Sequence, residues 1–214
     1  MLNGIDTVLF DFDGTLVEIS IDFAEMRRGV MALGLEYGIS SNPELYVLES
    51  LEHIFEELKR QDGDRAEAFR KQAQDMIVDI EMEAAAKART MPGADRALRG
   101  LKERGIKIGI VTRNCRPAVL RSSENADFVY DLLLTRDDVE KVKPEPQHLL
   151  DALTMLCSKP ENALMVGDHP MDVLAGKRAG TKTAAVLTLK TREDFAEVSP
   201  DLILTGVGSL LELL

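Results

Sequence analysis

Six short apolar runs punctuate the chain: DTVLF, IKIGIVT, YDLLLT, NALMVGD, KTAAVLT and DLILT. Each has the length of a strand, and beyond about residue 100 they alternate with stretches of helical periodicity. Such alternation signals βαβ units, because neighbouring parallel strands need a crossover long enough to hold a helix. One crossover is written out in MPGADRALRGLKERG. There Pro92 and Gly93 precede the helix, Ala97, Leu98 and Leu101 share one face, and Gly105 stops it. The expected fold class is α/β, a parallel sheet flanked by helices.

Between Leu16 and about Thr90 the texture changes and convincing strands disappear. Leu45, Leu48, Leu51, Phe55 and Leu58 recur at three- and four-residue spacing, as do Phe69, Ala73, Met76, Ile77 and Ile80. Both runs read as amphipathic helices. Asn42 and Pro43 supply a cap and first-turn proline for one, and Asp64 in QDGD a cap for the next. The expected organisation is a helical insertion, residues 16–89, within an α/β domain formed by residues 1–15 and 90–214. The apolar stripes of the insertion read as its own core.

Ligands of parallel α/β folds bind at the carboxyl ends of the strands, so the residues following each apolar run carry the functional information. The first run ends in Asp11 and Asp13, then Gly14 and Thr15; IKIGIV ends in Thr112, Arg113 and Asn114. YDLLL leads through a charged loop to Lys143 and Pro144, and NALMV leads to Asp168, with Asp172 four residues on. Four carboxylates, one lysine and one hydroxyl would thus share one sheet edge. Two carboxylates about 4 Å apart repel by roughly 4 kcal/mol at an effective dielectric near 20. Lys143 alone cannot offset several such pairs. A hard divalent cation can, and all-oxygen ligation fits Mg²⁺ better than zinc. The candidate metal set is Asp11, Asp13, Asp168 and Asp172. A phosphate would be attracted to the same place, held by the cation, Lys143, Thr112 and backbone N–H groups.

A net charge of -11 argues against a nucleic-acid or anionic-membrane surface, because both need a basic face. Cys115 and Cys157 match neither a disulfide framework nor a CxxC metal site and read as reduced thiols. The segment MLNGIDTVLF lacks a basic stretch followed by a long apolar one, and no apolar run approaches membrane-spanning length. A cytoplasmic location is expected.

Four motifs in order, DFDGT (Asp11 to Thr15), IVT ending at Thr112, KP at Lys143 and GDHPMD (Gly167 to Asp172), span nearly the whole chain. In them the sequence resembles the haloacid dehalogenase superfamily of aspartate-nucleophile phosphohydrolases. The helical insertion is similar to that superfamily's type 1 cap, found in phosphoglycolate phosphatases and β-phosphoglucomutases. The resemblance implies a Rossmann-like core with an inserted all-helical cap domain. It also implies that Asp11 is the nucleophile, forming an aspartyl-phosphate. Asp13 would protonate the leaving alkoxide and then deprotonate the attacking water, its backbone carbonyl reaching Mg²⁺. Asp168 would ligate Mg²⁺, and Asp172 would act behind it or hold Lys143. Thr112 and Lys143 would bind phosphoryl oxygens. Gly14 would allow close backbone approach, Thr15 would help order that loop, and Arg113 and Asn114 complete the candidate substrate-binding set. The resemblance further implies, from an aspartate two residues after the nucleophile, Asp13, a phosphatase or phosphomutase rather than a dehalogenase or phosphonatase.

The chain departs from the pattern at two places. It reads DGTLVEI, with Glu18 and Ile19 where many phosphoglycolate phosphatases have DGTLxDS, and Arg113-Asn114 stands where an Asn-Lys pair is often seen. Blander readings compete elsewhere. His169 lies in the metal loop but Mg²⁺ prefers oxygen, so it reads as a loop histidine. Arg27 and Arg28 read as a solvated helix face, and Asp172 also suits the first turn of a helix. The expected function is Mg²⁺-dependent hydrolysis of a small phosphomonoester, phosphoglycolate-like, with sugar phosphates, nucleotides and pyrophosphate close behind. A hexose-phosphate mutase and a non-catalytic phosphate-binding regulatory protein are the alternatives. The expected partner is a small phosphorylated metabolite, with the chain a monomer or homodimer.

Overall fold

The computed structural model describes residues 4–213; residues 1–3 and 214, included in the expected α/β domain, lie outside the described residues. Six strands form one sheet in the order β5-β4-β1-β6-β7-β8. They are β1 (Thr7–Phe10), β4 (Lys107–Val111), β5 (Leu132–Leu134), β6 (Ala163–Gly167), β7 (Lys182–Val186) and β8 (Leu202–Leu204). Every neighbouring pair is parallel. This is the sheet expected from the six apolar runs, with the first run placed at its centre. A second sheet pairs β2 (Val17–Glu18) antiparallel with β3 (Arg89–Thr90). These two-residue strands carry no periodic signal, and neither was foreseen.

Alternation along β1 divides the core. Val8 and Phe10 enter one buried cluster with Leu98 and Leu101 of α4 (Ala94–Glu103). Leu9 enters another with Leu149 and Leu153 of α6 (Gln147–Met155) and Ala175 of α7 (Pro170–Ala179). Strand side chains point alternately to opposite faces, so a central strand must be apolar on both. Burying each large side chain is worth about 1.5–3 kcal/mol.

The chain separates into two compact units, one comprising Ser20–Ala84 and the other the remainder. The helical unit contains α1 (Phe23–Glu36), α2 (Val47–Lys59) and all but the last residue of α3 (Gly63–Ala85). Its core holds Met26, Val30, Leu51, Phe55, Phe69, Ala73 and Ile77, the last five of which lie on the two predicted apolar stripes. Two caps differ from expectation. Asn42 Oδ1 accepts the Glu44 N–H at 2.9 Å in a turn ahead of α2, which starts only at Val47. At α3 it is Asp62, not Asp64, that accepts the N–H groups of residues 64 and 65, at 3.0 and 3.2 Å. The cap must precede the helix, and Asp64 already lies in the first turn.

Candidate active site

In the register of the sheet, Phe10 of β1 lies between Ile110 of β4 and Val166 of β6. The chain beyond these three strands therefore emerges at one level. The Asp11 N–H still bonds the Val166 carbonyl at 2.8 Å, and the Thr112 N–H bonds the Leu134 carbonyl at 3.1 Å. Backbone pairing thus fixes both positions before any side chain acts.

Lys143 reaches this edge from the loop after β5. Its Nζ donates to Asp11 Oδ1 at 2.6 Å and to Asp172 Oδ1 at 2.8 Å, and its side chain is only 1% exposed. The loop is held on both sides of the lysine. The Lys143 N–H donates to His148 Nδ1 at 3.3 Å, and the Lys143 carbonyl accepts from the Arg113 guanidinium at 2.7 Å. Asp172, in the first turn of α7, also accepts the His169 N–H at 3.1 Å through Oδ2. His169 caps the same helix, its Nδ1 accepting the Met171 N–H at 3.2 Å. That use agrees with its reading as a loop histidine.

Two glycines permit this crowding. Gly14 has φ +83°, and a Cβ there would lie 2.2 Å from Asp168 Oδ2. A Cβ on Gly167 would lie 2.3 Å from Asp172 Oδ2. Thr15 donates to Asp168 Oδ1 at 3.4 Å.

Asp13, expected in the metal set, turns its carboxylate toward the loop after β4. Asn114 Nδ2 donates to its two oxygens at 3.0 and 3.2 Å, and Thr112 Oγ1 to Oδ2 at 3.3 Å. Among the described residues, the acidic side chains close enough to share one ion are Asp11, Asp168 and Asp172, with ligand atoms within 4.8 Å of one another; the expected contact of Asp13 was through its backbone carbonyl. The Thr112 hydroxyl also accepts the Asn114 N–H at 3.0 Å. The side chains of Thr112, Arg113 and Asn114, expected to meet substrate, are thus engaged within the protein. Arg27, in the helical unit, donates to the Pro43 carbonyl at 3.2 Å, and Arg28 is exposed.

Electrostatics show an excess of negative charge. Burial, with Asp172 adding to it and Lys143 opposing, pushes the Asp11 carboxyl up to about 6. Burial, then the charges of Asp11 and Asp172, push Asp168 up to about 8. Burial works against the Lys143 ammonium, but Asp11 and Asp172 outweigh it and raise its pKa. One ammonium faces three carboxylates, and the deficit falls on Asp168. An all-oxygen donor set with surplus negative charge is the chemistry that suits a hard divalent cation such as Mg²⁺. Asp11 and Asp168 would hold it, because Asp172 already serves Lys143 and His169.

His148 was missed by sequence reasoning. It is fully buried, and burial followed by the nearby Lys143 charge lowers its pKa to about 3, so it is a neutral acceptor for the Lys143 N–H. Its only sequence signal is its position five residues beyond Lys143.

A central parallel strand ending in two aspartates, a buried lysine on the first and an aspartate pair opening the helix after β6 define a haloacid dehalogenase-type site. The chain belongs to the haloacid dehalogenase-like hydrolase family, whose sequence profile matches residues 8–186. Pyrophosphatase PpaX of Bacillus cereus strain B4264 is 47% identical over 121 residues, 55% of this chain and 56% of PpaX. The match therefore spans about half the length of that relative. β-Phosphoglucomutase from Clostridium difficile superposes with a TM-score of 0.68 at 19% identity, covering 96% of this chain and 93% of that one. A hydrolase from Pseudomonas syringae does so with a TM-score of 0.70 at 19% identity, covering 97% and 96%. Both likenesses are of fold. Among the described residues no helix is long and apolar enough to cross a membrane.

Proposed function

We propose that this protein is a Mg²⁺-dependent phosphatase that hydrolyses a small phosphomonoester through an aspartyl-phosphate on Asp11. The observation that carries the reading is the buried Lys143 ammonium, 2.6 Å from Asp11 and 2.8 Å from Asp172, beside Asp168. Such a lysine holds the Asp11 carboxylate ionised and oriented and offers positive charge to the phosphoryl oxygens. Bound Mg²⁺ would add neutralisation of the phosphoryl charge against Asp11 and Asp168. An Asp11 oxygen attacks phosphorus as the P–O bond to the leaving group breaks. The electron pair goes to the leaving oxygen, which takes a proton from Asp13. Water then attacks the same phosphorus and gives Asp13 a proton, and the P–O bond to Asp11 breaks to release inorganic phosphate and the Asp11 carboxylate. Atoms and charge return to their starting state.

In this reading the Lys143 ammonium faces the phosphate, the Gly14 and Thr15 N–H groups being bonded to the Val17 and Phe12 carbonyls, and the helical unit corresponds to the superfamily's cap. The substrate is a small metabolite of the phosphoglycolate type. The name of the PpaX relative favours a second reading, inorganic pyrophosphate, in which the leaving group is itself a phosphate.

The test is phosphate release from a panel including phosphoglycolate, hexose phosphates and pyrophosphate, with Mg²⁺ and with EDTA, for wild type and Asp11→Asn. Metal-dependent turnover abolished by Asp11→Asn is expected. Equal turnover in both proteins would refute the assignment of Asp11.

A further inference from the structure

Asn114 is 2% exposed, and its side-chain amide is committed at both ends. Its Oδ1 accepts the Cys115 N–H at 2.8 Å, while its Nδ2 donates to both Asp13 oxygens. The amide can be placed only this way round. Flipping it would set an oxygen against a carboxylate and an NH₂ against an N–H. The Asn114 N–H in turn bonds the Thr112 hydroxyl, which bonds Asp13 Oδ2. The backbone of the same residue is tied further, its carbonyl accepting the Arg136 N–H at 3.3 Å. Thr112 and Asn114 thus hold the Asp13 carboxyl group together, through a hydroxyl and an amide, the two residues being themselves tied to each other.

Resting on the phosphatase reading, we propose that Asn114 is a positioning residue that aims Asp13 for proton transfer to the leaving group. Its side chain was grouped above with substrate-binding residues; its bonding within the chain assigns it to Asp13 instead. Asp13 sits on the short turn between β1 and β2, where the Gly14 N–H bonds the Val17 carbonyl at 2.8 Å. Without Asn114 its carboxyl group loses a two-point hold, and rotation about its side-chain bonds moves the proton off the line to the leaving oxygen. Proton transfer tolerates little misplacement, because donor and acceptor must approach to about 2.6–3.2 Å.

The role has a signature that a general packing role lacks. An alkyl leaving group needs Asp13's proton as the P–O bond breaks, whereas a nitrophenolate leaves without one. The quantity to measure is kcat/KM, which covers steps through leaving-group departure and omits the later hydrolysis of aspartyl-phosphate. Wild type, Asn114→Ala and Asn114→Asp are assayed with an alkyl phosphomonoester taken from the panel above and with p-nitrophenyl phosphate. Asn114→Asp keeps the volume and the acceptor for the Cys115 N–H while removing the amide donor, so it serves if the alanine variant fails to fold. Removing an aligned general acid costs about 10²–10⁴-fold. Loss of alignment alone is expected to lower kcat/KM for the alkyl ester by at least about tenfold more than for the nitrophenyl ester. Equal losses on the two esters would overturn the role of Asn114 and leave the phosphatase reading standing. Absence of Asp11-dependent turnover in the wild type would overturn that reading, and the inference with it.

Discussion

Replacing Asp168 by Asn is expected to stabilise the metal-free protein while removing its response to Mg²⁺. Asp168 is 9% exposed, and burial and the charges of Asp11 and Asp172 push its carboxyl from 3.8 up to about 8. The folded chain therefore keeps a proton that the unfolded chain releases near pH 4. Stability from this group is complete below that pH and is lost as pH rises toward 8, because the unfolded state binds fewer protons. Each pKa unit is worth about 1.4 kcal/mol, so at pH 8 the cost is on the order of a few kcal/mol. Asn has nearly the same shape, keeps an acceptor for Thr15 and carries no charge.

For a chain of this size 1 kcal/mol moves Tm by about 2–4 °C. In EDTA at pH 8 the variant should therefore melt roughly 5–15 °C above the wild type, with the gap closing toward pH 5. Mg²⁺ should then raise the wild-type Tm, by preferential binding to the folded state, and leave the variant nearly unmoved. Thermal melts by circular dichroism between pH 5 and 9, with EDTA and with Mg²⁺, read both effects. A variant no more stable than wild type in EDTA at pH 8, or a gap that does not widen with pH, would refute the charge-excess account.

Two other perturbations follow from the same geometry. Gly14→Ala places a non-glycine residue at φ +83° and a methyl group 2.2 Å from Asp168 Oδ2. It should cost about 1–2 kcal/mol in backbone strain alone and weaken Mg²⁺ binding, measured by calorimetric titration. His148, held at about 3 by burial and the Lys143 charge, contributes stability present above its unfolded pKa near 6.5 and lost as pH falls toward 3, about 2 kcal/mol of it by pH 5. His148→Gln should narrow its stability deficit against wild type as pH falls from 7 to 4 in denaturant titrations; a constant deficit would exclude a proton-linked contribution.

The sheet was legible because each strand announces itself locally, as an apolar run of strand length, and because a parallel pair needs a crossover. The positions of Asp11, Thr112 and Asp168 followed from that alone, since each succeeds such a run. What local pattern could not carry was partnership. Asn114 meets Asp13 across 101 residues and Arg113 meets the Lys143 carbonyl across 30. Nothing in the spacing of either pair encodes which polar group the fold will present. His148 was hidden for a different reason: a histidine on a helical run reads as core filling unless its loop partner is known. The two mistaken caps lie between these cases. In QDGD both aspartates have the right chemistry, and only the backbone conformation decides that Asp62 caps α3.

The opening motif places two aspartates one residue apart, and the structure gives them different partners. Asp11 lies in an ionic cluster, touched by a buried ammonium and crowded by Asp168 and Asp172. In the proposed function an anion fixed there is the nucleophile, held in place while Lys143 steadies the charge. Asp13 lies away from that cluster, on a neutral amide and a neutral hydroxyl. In the proposed function it is the residue that gives a proton and later takes one. The intervening Phe12 is fully buried in the same core cluster as Phe10, which anchors the backbone between the two aspartates.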